Sequence, residues 1–369
     1  MEWDVLFPNT SDSNENLCLP KLNHLVGSAV ASCVDGYNHS NFGDLNVLDL
    51  RVQIPGEKFT LWILGTIPHL CECFHQFVNS RLRRSCSSLE SSSLASSSQA
   101  SMYSFSDKCN QLLNPGRAWA VSLSLRGPIK AEIMNIFSAN EGMEGCSNLL
   151  YRSSCQGRGL NRLWASIEGY HGPLLVLVSG SVDSAENSDG KWIIGVLTEK
   201  GLENKDSFYG NSGILYAIHP VFNVYHATGK EKNFVYSHMR PSGRVYEVKP
   251  KPVGIAFGGT IGNERIFIDE DFGRIVVRHH AVDKTYQPGV VYPNQGYLPV
   301  EATLLEVEVW GVGGKASRAN QISYRRREEL FIEQRRKVDL KTFASWEDAP
   351  EKMMLDMMGN PNSVPKEDR

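Results

Sequence analysis

Two stretches constrain the fold most tightly, because each carries the two-residue period of a half-buried strand. Pro252 to Asp271, PVGIAFGGTIGNERIFIDED, opens with an apolar run, turns through Gly258, Gly259 and Gly262, and resumes as Arg265-Ile266-Phe267-Ile268-Asp269. Two apolar runs joined by glycines predict an antiparallel hairpin with a glycine-dependent loop or bulge. Thr303 to Gly311, TLLEVEVWG, alternates: Leu305, Val307 and Val309 fall on one face, Glu306, Glu308 and Trp310 on the other.

More short strands precede these. Gly172 to Gly180, GPLLVLVSG, is an unbroken apolar run bounded by turn residues, as for a strand buried on both faces. After the polar insert 179–190, Lys191 to Thr198 returns as its antiparallel neighbour. Ile214 to His219, Phe222 to Ala227, Asn233 to Ser237, Gly254 to Phe257 and Arg265 to Asp269 follow at short intervals. Many short strands with glycine-rich turns and few helices predict an α+β protein built on two packed antiparallel sheets, a β-sandwich with flanking helices.

The order of these pieces resembles the TLDc domain family. The chain supplies Ile167-Glu168-Gly169, Leu174 to Val178, Trp192 to Leu197, Phe208-Tyr209-Gly210, Pro220-Val221-Phe222-Asn223-Val224-Tyr225, Phe257-Gly258-Gly259 and Glu308-Val309-Trp310-Gly311, seven ordered matches spanning about 149–313. The resemblance implies the same sandwich. It also implies a role in protection against oxidative stress and binding to the vacuolar proton-pumping ATPase. A weaker likeness, Phe59…Trp62-Ile63 followed by Ile67-Pro68-His69-Leu70, points to members with an N-terminal helical module linked to lysosomes and growth signalling.

On this basis four regions are expected: a helical module over 1–84, a Ser-rich linker over 85–117, the TLDc domain over 118–314, and a charged helical extension over 315–369. Leu17 to Cys33 has helical spacing, and Lys58 to Leu82 reads as two short helices broken at Pro68. In 85–106 twelve of 22 residues are Ser, too little apolar matter to offset chain entropy. Ala118 to Leu125, AWAVSLSL, alternates like a strand, and Pro128 to Phe137 has helical spacing. Ser323 to Leu340 reads as a strong charged helix, and 342–359 as a shorter one with a methionine face.

With 21% charged residues and a net charge of −3, the chain has no global attraction to nucleic acid or acidic membranes. The eight cysteines are scattered and no secretory signal opens the chain, which predicts a reduced, intracellular protein. No apolar stretch reaches the roughly 20 residues of a membrane span, so membrane association is peripheral at most. Cys71, Cys73 and His75 read as structural rather than as a zinc site, and 35–44 lacks the ligands of a calcium loop.

No nucleophile elbow, zinc-protease motif or phosphate loop is present. His279, His280 and Asp283 lie where the chain departs from the family, but adjacent strand residues point to opposite faces. The acids Glu168, Asp269 and Glu308 match family positions and Glu264 follows the glycine turn, so two or more are candidates to converge on one surface. Glu308 reads equally as an outer-face charge or a cap for backbone amides. The reading is a non-enzymatic interaction protein without cofactor or metal. Its binding residues are Glu168, Phe208, Tyr209, Gly210, Gly258, Gly259, Glu264, Asp269, Glu308 and Trp310, and it is cytoplasmic or peripheral on the lysosome or vacuole. The alternatives are a carboxylate-dependent enzyme with antioxidant or hydrolytic activity, and a nuclear or nucleolar protein using the basic clusters 325–327 and 335–337, with no strong nucleic-acid signal elsewhere.

Overall fold

The computed structural model describes residues 22–34, 53–72, 75, 111–138, 148–182, 191–240, 250–291 and 295–346. The Ser-rich stretch 85–106, Cys73, the loop 183–190 and the methionine-rich tail lie outside these residues. Within them run the helices α1 (Asn23–Cys33), α2 (Gly56–Thr66), α3 (Pro115–Leu123), α4 (Gly127–Ser138), α5 (Ser153–Gln156), α6 (Leu160–Ile167) and α7 (Gly314–Trp346). The strands are β1 (Leu149–Arg152), β2 (Leu174–Ser181), β3 (Lys191–Thr198), β4 (Lys205–Tyr209), β5 (Gly213–His219), β6 (Asn223–His226), β7 (Val235–His238), β8 (Gly254–Thr260), β9 (Asn263–Asp269), β10 (Arg274–Val277) and β11 (Val300–Gly311).

The expected α+β class, with antiparallel strands and flanking helices, is what forms. Its two halves are one continuous ladder, β4-β7-β8-β9-β10-β11-β2-β3-β5-β6, with β1 added beside β11. The ladder curls. An isolated bridge joins Ala227 to Tyr286, and Tyr286 meets Phe234 edge to face at 5.3 Å.

β11 is the hinge of this arrangement. Its first residues, Val300 to Thr303, pair with β10, whereas Thr303 to Gly311 pair with β2 and Glu308 to Trp310 also with β1. A bulge between Leu304 and Glu306 shifts the phase. Ala302 and Leu304 are therefore buried before it, Val307 and Val309 after it, and Leu305 is only half-buried, so the strict alternation predicted over the whole strand holds from Glu306 onward.

β2 is buried along its whole length, as its unbroken apolar run predicts. One face of β2, β3, β5 and β6, carrying Leu175, Leu177, Leu197, Tyr216, Phe222 and Val224, packs on Leu25 and Ala29 of α1, Trp62 of α2, Val121 and Leu123 of α3 and Ile133 of α4. The cross-strand register sets Arg152, Glu308, Leu177, Gly195, Tyr216 and Val224 in one row under this helical layer.

One expectation fails here: Ala118 to Leu125 forms the helix α3, not a strand. The Asn114 Oδ1 accepts the Arg117 N–H at 2.9 Å and Pro115 occupies the first turn, so local capping starts a helix. The serines that gave the alternation are buried, and they bond within the chain, Ser122 Oγ to Trp119 O at 2.6 Å and Ser124 Oγ to Val121 O at 2.7 Å. Small residues on every face let α3 be buried nearly all round.

The helix break predicted at Pro68 is present, since α2 stops at Thr66. The charged helix predicted over 323–340 is the middle of the 33-residue α7. Glu168–Tyr170 and α7 from Lys315 form a separate compact unit. Within it Gln321 donates to Glu168 O at 3.2 Å and Tyr324 donates to Glu168 Oε1 at 3.3 Å. Residues 325–337 of α7 are exposed throughout, with a Glu333–Lys337 pair at 2.8 Å.

The β8–β9 hairpin closes through the two residues Ile261 and Gly262, with Thr260 opposite Asn263 and Gly259 opposite Glu264. Gly259 (φ +88°) would place a Cβ 2.3 Å from Asn263 O, whereas Gly262 (φ +88°) has nothing within 4 Å. Gly262→Ala should therefore cost about 1–2 kcal/mol of backbone strain alone, and Gly259→Ala about 2–4 kcal/mol as the hairpin must also shift. Chemical denaturation of the two variants checks this; equal losses would show that the hairpin yields freely.

Candidate functional site

The end of β11 places Glu308 in the row beneath the helices, and its side chain is fully buried. Oε1 accepts the Leu112 N–H at 2.8 Å and Oε2 accepts the Leu113 N–H at 3.2 Å, so the carboxylate clamps the backbone immediately before α3. Trp310, two residues on and on the same face, donates its indole N–H to Oε2 at 3.1 Å. The Arg152 Nε stands 3.5 Å from Oε1, and Arg117 holds Leu112 O through Nη1 at 2.8 Å. Burial pushes the Glu308 carboxyl above its ordinary range, opposed by the N–H donors of Leu112, Trp310 and Leu113 and by the charge of Arg152. Of the two readings of Glu308, the outer-face charge is excluded and the backbone cap is what the structure contains.

A second buried knot sits on β9. Arg265 is wholly buried, and its Nη1 meets Asp283 Oδ2 at 2.7 Å and Gln287 O at 2.8 Å, while Nη2 donates to Gly289 O at 2.9 Å. The guanidinium lies 5.0 Å from the Tyr225 ring centroid. Asp283 Oδ1 accepts the Thr285 and Tyr286 N–H groups at 2.7 and 3.1 Å. Burial pushes the Asp283 carboxyl up, but His280, Arg265 and these two amides outweigh it and leave it below its ordinary value. Together they fix the loop 278–291 as a shaped surface. His279 stacks on Tyr297 at 4.9 Å, while His280 Nδ1 turns to Asp283 at 3.8 Å, so the two imidazoles serve different partners.

The remaining predicted residues are distributed. Glu264 accepts the Gly262 N–H at 2.6 Å and pairs with Arg278 at 3.2 Å. Asp269 Oδ1 accepts the Gly273 N–H at 2.9 Å, and its Oδ2 the Arg274 N–H at 3.1 Å, closing the β9–β10 turn. Glu168 belongs to the separate unit that contains most of α7. Phe208 packs on Tyr236 at 5.5 Å, the Tyr209 hydroxyl accepts the Glu203 N–H at 2.8 Å, and Gly210 lies against Phe234, so this element locks the edge strand β4 to β7. Gly258 donates its N–H to Phe234 O at 3.2 Å. Glu264, Asp269 and Glu308 spend their oxygens on different amides and cations, whereas Glu168 accepts from the Tyr324 hydroxyl within its own unit. Among the described residues no group of three His, Cys, Asp or Glu is placed to hold a metal ion.

Sequence reasoning passed over Arg265, Arg152 and Arg117. Arg265 carries a signal in retrospect, a cation flush against the apolar run Ile266-Phe267-Ile268. The others show none, because their carboxylate partner is about 150 or more positions away in the chain.

Glu308→Ala would strand two buried amides and an indole N–H, and Asp283→Ala would leave the Arg265 charge buried without a counter-charge. Each should cost about 3–5 kcal/mol. Glu301→Ala removes half of an exposed pair with Arg274 and should change stability by under about 0.5 kcal/mol. Denaturant titration of the three variants separates these outcomes.

A family model for the TLDc domain matches residues 128–313, half of the chain. No curated protein matches the chain. Seven ordered motifs, the curled antiparallel sheet they build and this match together place the chain in the TLDc domain family.

Proposed function

We propose that this protein is a non-enzymatic TLDc interaction protein that acts in protection against oxidative stress by binding the vacuolar proton-pumping ATPase or a related lysosomal or vacuolar partner. The TLDc domain is a protein-interaction domain. The observation that carries the reading is where the family's acids and aromatics go. Glu308, Trp310, Glu264, Asp269 and Tyr209 are bonded inward or along the backbone, whereas Val282, Tyr297 and Leu298 stand largely exposed between β10 and β11. Arg265 and Asp283 tie the backbone that follows Val282, and Tyr297 stacks on His279, so two of these exposed apolar side chains stand on anchored backbone or an anchored ring; such exposure favours a protein partner.

The protein works in this reading at the cytoplasmic side, peripherally on the organelle. No described helix is long and apolar enough to cross a membrane.

The test is affinity purification of the full chain from cells with the proton pump's subunits as readout, in parallel with a Val282→Asp, Leu298→Asp double variant. The variant should keep its melting temperature within a few degrees, both side chains being exposed, and lose at least tenfold in capture. Undiminished capture by the variant would move the interface elsewhere. A turnover abolished by Glu308→Gln with capture intact would favour the carboxylate enzyme.

A further inference from the structure

Among the described residues, α1 is fastened to the sheet at one place, the crossing from β5 to β6. The Phe222 N–H donates to His24 O at 3.1 Å, the Ser28 hydroxyl donates to Phe222 O, and the Trp62 indole of α2 donates to the Ser28 hydroxyl at 2.9 Å. His24 packs its ring edge to face on Phe222 at 6.0 Å and is buried, with its Nε2 shielded from water and without a hydrogen-bond partner. Such a nitrogen is tolerable only while uncharged; a protonated imidazole there has neither water nor an acceptor.

The charged groups bearing on His24 are Arg117 from α3 and His219 from the end of β5, and Arg117 bears on His219 as well. Lys58 of α2 acts on Cys33, and Glu308 acts on Arg117. Among the described residues the guanidinium of Arg117 bears on both imidazoles and no carboxylate bears on either. We propose that His24, seated on Phe222 with its Nε2 buried and unpartnered, is an acid-sensitive clasp, which holds α1 and α2 over the sheet at neutral pH and releases them on mild acidification to uncover Tyr216, Phe222 and Val224.

Burial, then Arg117 and His219, push His24 down to about 3; burial, then Arg117, push His219 down to about 4. Both values are lowered, so the docked arrangement favours the neutral rings. Docking is at full strength above the ordinary histidine value of 6.5 and weakens as pH falls from there towards the docked values. At pH 5 a released His24 imidazole is stabilised about 30-fold by protonation, and the docking equilibrium of α1 moves by about that factor.

Cys33, buried on α1, reports opening, and Cys155, exposed on α5, supplies an internal reference. The full chain is labelled with 4,4′-dithiodipyridine at pH 7.5 and pH 5, and each thiol is quantified by peptide mass spectrometry. The Cys33 to Cys155 rate ratio should rise at least tenfold at pH 5, while amide hydrogen exchange over Leu174–Thr198 stays protected. In a His24→Gln, His219→Gln double variant the ratio should lose its pH dependence. Should that variant not fold, His24→Gln alone should remove most of the change. A wild-type ratio unchanged by pH, loss of protection in β2 and β3 together with Cys33 opening, or substituted chains that keep the wild-type pH response would each overturn the clasp.

Discussion

The buried carboxylate of Glu308 is the constraint on which the architecture depends. It sits on β11, the strand shared by both halves of the curled sheet, and it holds the Leu112 and Leu113 amides that lead into α3. A carboxylate removed from water is costly unless its oxygens are filled by donors, and here three N–H groups and the nearby Arg152 fill them. Because the backbone before α3 is tied at this point, α3 and α4 are positioned over the face that carries Leu177 and Tyr216. Glu308 thereby fixes where α3 begins above the sheet, and Ser124 adds a second tie to Tyr216 at 3.1 Å.

Arg265 has the equivalent task on the other half. It has no room to be solvated, so it draws the 283–289 backbone around itself and leaves the opposite side of that loop facing outward. Both knots convert charge that looks catalytic in a linear sequence into fixed geometry. A fold held this way carries its distinctive surface on loops between strands, where side chains change without disturbing the ladder.

Much of this was legible in the sequence, for physical reasons that differ by element. The apolar run of β2 and the glycine turn of β8–β9 are local signals, and both formed where the residues pointed. The helix α3 was misread because alternation of small and polar residues does not distinguish a strand from a fully buried helix whose serines bond to their own backbone; Asn114 followed by Pro115 was the signal to weigh. The bulge after Leu304, which ends the strict alternation of β11, leaves no mark in composition. The acids were recognised as a set, but their destinations were not. A carboxylate paired with amides almost 200 residues away is chemically identical, in a linear chain, to one facing water. Arg152 and Arg117, whose carboxylate partner is equally remote in the chain, were missed for the same reason.

The most direct measurement of the central claim, that the motif-matching acid on β11 is a buried backbone clamp and not a reactive group, is site-resolved amide hydrogen exchange at Leu112 and Leu113 in the intact chain. The account predicts that both amides exchange as slowly as those of β2 and that Glu308→Gln accelerates them specifically, leaving β8 and β9 protected. Fast exchange at Leu112 and Leu113 in the native chain would contradict it.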